Sequence, residues 1–223
     1  MSTPVSPDWL EEQTLASMNE LRHRGPDDSG VWVDPDAGLA LGHRRLSVID
    51  LSSQGRQPMV SANERYVMAF NGEIYNFPKL RAELQAEGAK FRGHSDTEVL
   101  LEAIVRWSLI TTLKRVNGML AMALWDRRER TLHLARDRFG QKPLYYGWAN
   151  GTFVFGSELS ALRKFPTFNA NINRDSLALL LRHSNIPAPY TIYCDCWKLM
   201  PGTMVSIDRK TIESRSLPQP TPY

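Results

Sequence analysis

The feature that most limits how this chain can fold lies in its middle. Four strand-like segments follow one another at residues 119–126, 131–137, 144–148 and 152–155. Two of the breaks between them are short and turn-forming, at 127–130 and at Asn150-Gly151. Strands joined this closely run antiparallel, because a parallel pair needs a crossover of about a dozen residues or more.

The flanking segments supply helices. Residues 8–22 read as a helix, with Ser6 as its cap, Pro7 at its first position and Leu10, Thr14, Met18 and Leu21 on one face. Arg24-Gly25-Pro26-Asp27-Asp28 ends it. Short strands at 31–33 and 39–42 flank the turn Asp34-Pro35-Asp36, and the polar stretch 52–63 reads as loop. A strand over 65–70 sets Tyr66, Met68 and Phe70 on one side and stops at Asn71-Gly72.

Two helices come next. One covers 77–87, with Leu80 and Leu84 on one face and Gly88 just past its end; the other starts at the capping box Ser95-Asp96-Thr97-Glu98, with Val99, Leu100, Ala103, Ile104 and Trp107 as its apolar face. Short helices at 158–164 and 174–183 and a hairpin of strands at 203–208 and 211–215 complete the pattern. Adjacent strands with helices inserted in pairs predict an α+β fold on antiparallel sheet, not a doubly wound parallel sheet.

Composition narrows the function classes. With 42% hydrophobic and 23% charged residues in 223, the chain is globular, sized for one large or two small domains, and is neither disordered nor coiled coil as a whole. A net charge of +3, spread along the sequence, gives little reason to expect nucleic acid as a partner. The longest apolar run, 119–125, is far too short to cross a bilayer, so no membrane partner is expected. The N-terminus has no basic and apolar leader, and two cysteines make no disulfide framework, so a cytoplasmic location is expected. P-loop, dinucleotide-binding, zincin and nucleophile-elbow signatures do not occur.

Several stretches can carry chemistry, each with a plainer alternative. In Phe70-Asn71-Gly72-Glu73-Ile74-Tyr75-Asn76 the Asn71 amide and the Gly72 N–H can converge on one point, as an oxyanion hole needs; taken alone, Asn-Gly reads as a turn. Arg45, within His43-Arg44-Arg45-Leu46-Ser47-Val48-Ile49-Asp50, can grip a carboxylate through two parallel hydrogen bonds, or be a solvated arginine. Asp96, in the first turn of a capped helix, can bind an ammonium group or simply complement the helix dipole. The charged and aromatic run from Asp137 to Tyr146 reads as a buried ion-pair corner. Cys194-Asp195-Cys196 with His183 lacks zinc-site spacing, so no metal is expected.

Taken in series, these pieces resemble one family. His23-Arg24-Gly25-Pro26-Asp27, the Arg45–Asp50 and Phe70–Asn76 stretches, Ser95-Asp96-Thr97-Glu98, the Ala135–Tyr146 run with its Asp-Arg-Phe-Gly-Gln-Lys-Pro-Leu-Tyr-Tyr core, and Phe155-Gly156-Ser157-Glu158 occur in the family's order. Pro189-Tyr190-Thr191-Ile192-Tyr193 and Lys198-Leu199-Met200-Pro201-Gly202 also match. The chain resembles the glutaminase half of glutamine-hydrolysing asparagine synthetases, a class II (N-terminal-nucleophile) glutamine amidotransferase.

The resemblance implies a four-layer α-β-β-α sandwich of antiparallel sheets, with its amidotransferase domain over residues 1–216 and the start of a linker to a synthetase domain at 217–223. It implies glutamine as ligand. Arg45, with Leu46, Ser47, Val48 and Ile49, would hold the α-carboxylate end; Glu73 and Asp96 would hold the α-ammonium; Asn71 and Gly72 would form the oxyanion hole. ATP and magnesium would belong to the synthetase half, leaving no cofactor for this chain, and a homodimer is left open.

In the family a cysteine after the initiator methionine is the nucleophile and opens a buried strand; here the chain begins Met1-Ser2-Thr3-Pro4-Val5-Ser6-Pro7. That first strand is therefore expected to be missing and the chain by itself to be inactive as a glutaminase. Ser2 does not replace the cysteine, because Pro4 and Pro7 oppose central strand pairing. Two other readings remain: a non-catalytic scaffold domain, as in β-lactam synthetases, and an amidotransferase half serving a saccharide acceptor.

Overall fold

Residues 6–46 and 53–223 are described by a computed structural model of the protein. Its elements in chain order are α1 (Pro7–Asn19), β1 (Asp28–Asp34), β2 (Leu39–Arg45), β3 (Met59–Val60), β4 (Tyr66–Ile74), α2 (Phe77–Ala86), α3 (Asp96–Trp107), α4 (Leu109–Arg115) and β5 (Gly118–Asp126). They continue with β6 (Thr131–Arg136), β7 (Tyr145–Ala149), β8 (Thr152–Gly156), α5 (Leu159–Arg163), α6 (Arg174–His183), β9 (Cys196–Lys198), β10 (Thr203–Ile207), α7 (Arg209–Ser214) and β11 (Thr221–Pro222).

Alternation along the strands builds two cores. Tyr66, Met68, Phe70 and Ile74 of β4 and Leu120, Met122 and Leu124 of β5 point to one face, against Leu80 and Leu84 of α2 and Val99, Leu100, Ala103 and Ile104 of α3. Val67, Ala121, Ala123, Trp125, Leu132 and Leu134 point to the other, against Leu41 of β2 and Tyr146 of β7. One six-stranded antiparallel sheet, ordered β11-β10-β6-β5-β4-β3, thus lies between a helical layer and a second strand layer. Helices α1 and α5 pack on the outside of that second layer, joined by an edge-on contact of Trp9 with Phe165 at 5.6 Å. The result is the expected α-β-β-α sandwich, all pairings antiparallel.

The second layer is in two pieces, β1-β2 and β8-β7-β9. Edges of β2 and β8 face one another across a trough of about 210 Å³, floored by α1 on one side and by Ala69, Ala121 and Ala123 of the six-stranded sheet on the other. Among the described residues no strand lies between them.

Several expectations are corrected. The four successive central strands do not share one sheet: β5 and β6 belong to one and β7 and β8 to the other. The crossing loop is held by Asp137, whose carboxylate accepts from Leu120, Phe139, Gln141 and Lys142 N–H groups, and by Arg136, which donates to Gly140, Lys142 and Leu199 carbonyls. This corner is structural, but its charges are spent on main chain and not on one another. Residues 211–215 are not a strand: Asp208 caps helix α7 through the Thr211 N–H at 2.8 Å. Ser6 caps α1 without a side-chain bond. In α3, Ser95 accepts from Glu98 N–H, but the Glu98 carboxylate turns to the Arg92 and Gly93 N–H groups, so the capping box is half made.

Candidate functional site

The most informative correction concerns Asn71-Gly72. The strand does not stop there; β4 runs on to Ile74, in register with β5 down to Gly118. Tertiary pairing overrides the turn preference of the dipeptide. Gly72 is required by close approach: a Cβ on it would sit 2.2 Å from the Met119 carbonyl oxygen of β5. Asn71 and Glu73, alternating with the core residues Phe70 and Ile74, then project from the same face of the sheet.

Arg45 is brought to that face by β2, which is longer than the sequence suggests and ends at this residue. The Arg45 carbonyl accepts from Asp27 N–H at 3.0 Å, and Arg44 donates to the Gly25 carbonyl at 2.8 Å, so the broken end of α1 fixes the end of β2. Asp96 comes from the first turn of α3 and reaches back to β4, accepting from the Ile74 N–H at 2.9 Å. Burial pushes the Asp96 carboxyl above its ordinary range, and the nearby negative charge of Glu73 adds to this; hydrogen bonds from Ile74 and Thr97 oppose it. A cation placed here would relieve the strain on the charged form.

These side chains, far apart in sequence, share one cavity of about 420 Å³ whose walls include Arg45, Leu46, Asn71, Gly72, Glu73 and Asp96. That volume is in the range of small-molecule sites. Ser47, Val48 and Ile49, named with them from the sequence, lie outside the described residues.

Other residues of the wall were given no ligand role from sequence, although several lie in the stretches quoted above. Gln57, Ser95, Thr97, Met119, Lys142 and Ser157 line it, as do His43 and Arg24. Arg24 is engaged at the rim, donating to Glu158 at 3.0 Å beside His23. Burial would raise the Glu158 carboxyl, but these two partners outweigh it and hold it low. Lys142 is carried in by the loop that Asp137 anchors. His43 is half-buried, its Nδ1 enclosed and its Nε2 3.0 Å from the Phe70 carbonyl; desolvation of the ring depresses it to about 4, outweighing the bond to Phe70, with a smaller lowering from Arg45, so the imidazole is neutral.

Neither free cysteine lines the cavity. Cys196 is buried in β9, and burial pushes its thiol up to about 12, which removes thiolate character at neutral pH. No group of His, Cys, Asp and Glu among the described residues could hold a metal ion. No helix among them is long and apolar enough to cross a membrane.

Comparison with known proteins agrees with this architecture. A family model described as a glutamine amidotransferase domain matches residues 4–217. Asparagine synthetase [glutamine-hydrolyzing] 1 of Bacillus subtilis (strain 168) is 38% identical over 205 residues, 92% of this chain and 32% of that protein. Asparagine synthetase [glutamine-hydrolyzing] 3 of the same organism is 41% identical over 171 residues, 75% of this chain and 27% of that protein. The chain therefore spans about a third or less of the length of these relatives. Among solved structures, the glutamine phosphoribosylpyrophosphate amidotransferase from B. subtilis superposes with a TM-score of 0.66 at 21% identity, over 89% of this chain and 45% of that one, a likeness of fold. The chain belongs to the glutamine amidotransferase domain family and is homologous to glutamine-hydrolysing asparagine synthetases.

Proposed function

We propose that the cavity binds L-glutamine and that the domain serves to release ammonia from it for the ATP-dependent amidation of aspartate. The observation that carries this reading is the convergence of a guanidinium, two carboxylates and an amide-glycine pair on one cavity. Arg45 pairs with the α-carboxylate, where its planar fork matches both oxygens. Glu73 and Asp96 hold the α-ammonium. The Asn71 amide and the Gly72 N–H face the side-chain carbonyl and stabilise the oxyanion that forms when it is attacked.

No cysteine is among the described residues lining this cavity. By family resemblance the attacking group is a cysteine that opens a strand, and the trough between β2 and β8 offers two open edges for such a strand. The trough and the cavity share Leu21, Gly42, His43, Phe70, Asn71 and Ser157, so a strand in the first would end beside the oxyanion pair. The cavity by itself accounts for glutamine binding; hydrolysis also requires the attacking group. The amidation itself belongs to a synthetase domain of the kind the longer relatives' names describe.

Calorimetric titration with L-glutamine tests this reading. Saturable binding that D-glutamine does not reproduce is expected; no heat with either enantiomer overturns it. Glutamate release that survives Cys194→Ala and is lost in Asn71→Ala would instead show that the chain carries its own nucleophile.

A further inference from the structure

Strand β4 is paired unequally. Along β5 its ladder runs from Tyr66 to Ile74, but β3 meets it only at Val67 and Met68. Past Met68 the second edge has no strand beside it among the described residues. In an antiparallel strand alternate residues present N–H and C=O to the same edge, so Phe70, Gly72 and Ile74 offer theirs to this one. The register agrees: Leu120, opposite Gly72, gives its N–H and C=O to Asp137 on its far side.

Side chains take the place of the strand. The Phe70 N–H donates to Gln57 Oε1 at 2.7 Å, the Phe70 carbonyl accepts from His43 Nε2 at 3.0 Å, and the Ile74 N–H donates to Asp96. The Gly72 N–H lies between these bonded positions, on the wall of the glutamine cavity.

We propose that His43 and Gln57 are positioning residues that hold the two peptide groups flanking Phe70 along the open edge of β4 and thereby aim Asn71 and Gly72 at the ligand's carboxamide. This rests on the glutamine reading and names what sets the geometry of one end of that site. The Phe70 carbonyl and the Asn71 N–H share one rigid peptide plane, so fixing the first fixes where the Asn71 side chain begins. An oxyanion site loses much of its effect when its donors shift by about 1 Å.

The imidazole has a cost that packing alone does not explain. A carbonyl only accepts, so Nε2 carries the hydrogen; Nδ1 is then a lone-pair acceptor, buried and without a partner among the described residues. An apolar ring would fill the space without that cost. What the histidine adds is the bond to Phe70. Gln57 is placed with equal care: its main-chain carbonyl lies against Gly30, where a Cβ would be 2.2 Å away, and Gly30 is the ladder partner of His43.

The test compares L-glutamine with L-norvaline, which has the same α-groups and no carboxamide, by calorimetry on the full chain. The unaltered protein should favour glutamine. In His43→Ala and in Gln57→Ala that preference should fall about tenfold while norvaline affinity stays within about twofold. His43→Gln, whose amide N–H reaches toward the same carbonyl, should restore most of it. If His43→Ala does not fold, Gln57→Ala and His43→Gln carry the same comparison. An unchanged preference in folded variants, or equal weakening of both ligands, overturns this proposal alone. No binding of either amino acid to the unaltered chain overturns it together with the glutamine reading.

Discussion

The two strand layers of this protein are built to different standards. The six-stranded sheet is continuous, has a core on each face and buries Leu120, Met122, Leu124 and Leu134 almost completely. The second layer is two pieces with open edges, and every residue of β1 is only half-buried. The ligand-sized cavity sits where main-chain edges are open, at the ends of β2 and β4, and not within the closed ladder. Rigidity is supplied by one layer and access by the other.

That contrast can be broken by measurement. The largest effect is expected at the corner that ties the layers together: Asp137→Ala leaves N–H groups of Leu120, Phe139, Gln141 and Lys142 without their acceptor and should cost about 4 kcal/mol in urea unfolding. A loss below about 1 kcal/mol would mean that main chain or water replaces the carboxylate. Next, Leu124→Ala in the closed sheet should cost about 3 kcal/mol and Val154→Ala on the trough about 1 kcal/mol. Equal losses would mean the second layer is as tightly packed as the first.

A pH series probes the seam between them. His43 is depressed from 6.5 to about 4, so between those values the unfolded chain binds the proton and the folded chain does not. Stability should therefore fall as pH drops through that window, by on the order of 3 kcal/mol from this group. His43→Gln should flatten that part of the curve; an unchanged slope would assign the acid sensitivity elsewhere. Asp96, raised by burial, works the other way.

Smaller effects sharpen the site. Arg45→Lys keeps the charge and loses the fork, and should weaken glutamine about tenfold. A change under twofold would take the α-carboxylate away from Arg45. Smallest is a proton signal: an ammonium beside Asp96 lowers its raised carboxyl, so glutamine binding just above the ordinary carboxylate range should release protons, seen as a buffer-dependent heat. Buffer-independent heats would separate Asp96 from the ligand's charge.

The sequence was most readable where local chemistry and tertiary structure agree. The Ser95 cap, the shared face of Tyr66, Met68 and Phe70, and the buried stripe of α3 follow from spacing alone. Asn71-Gly72 misled because its turn preference is local while its pairing with Leu120 and Ala121 is not. The division of the central strands between two sheets goes with long-range contacts such as Arg136 to the Leu199 carbonyl, which no local pattern reveals. Residues 211–215 looked like a strand because Thr211 and Ile212 suit one, yet Asp208 offers a cap that favours a helix. At the site, charged and amide groups stood out by type, whereas His43 and Gln57 act through the backbone of Phe70 and carry no signature of their own.

The wall common to trough and cavity has a thermodynamic consequence. His43, Phe70 and Asn71 belong to both, so an occupant of one that moves or fixes them changes the free energy of occupying the other. Linkage makes that influence reciprocal: a peptide that tightens glutamine by some factor must itself be tightened by glutamine by the same factor.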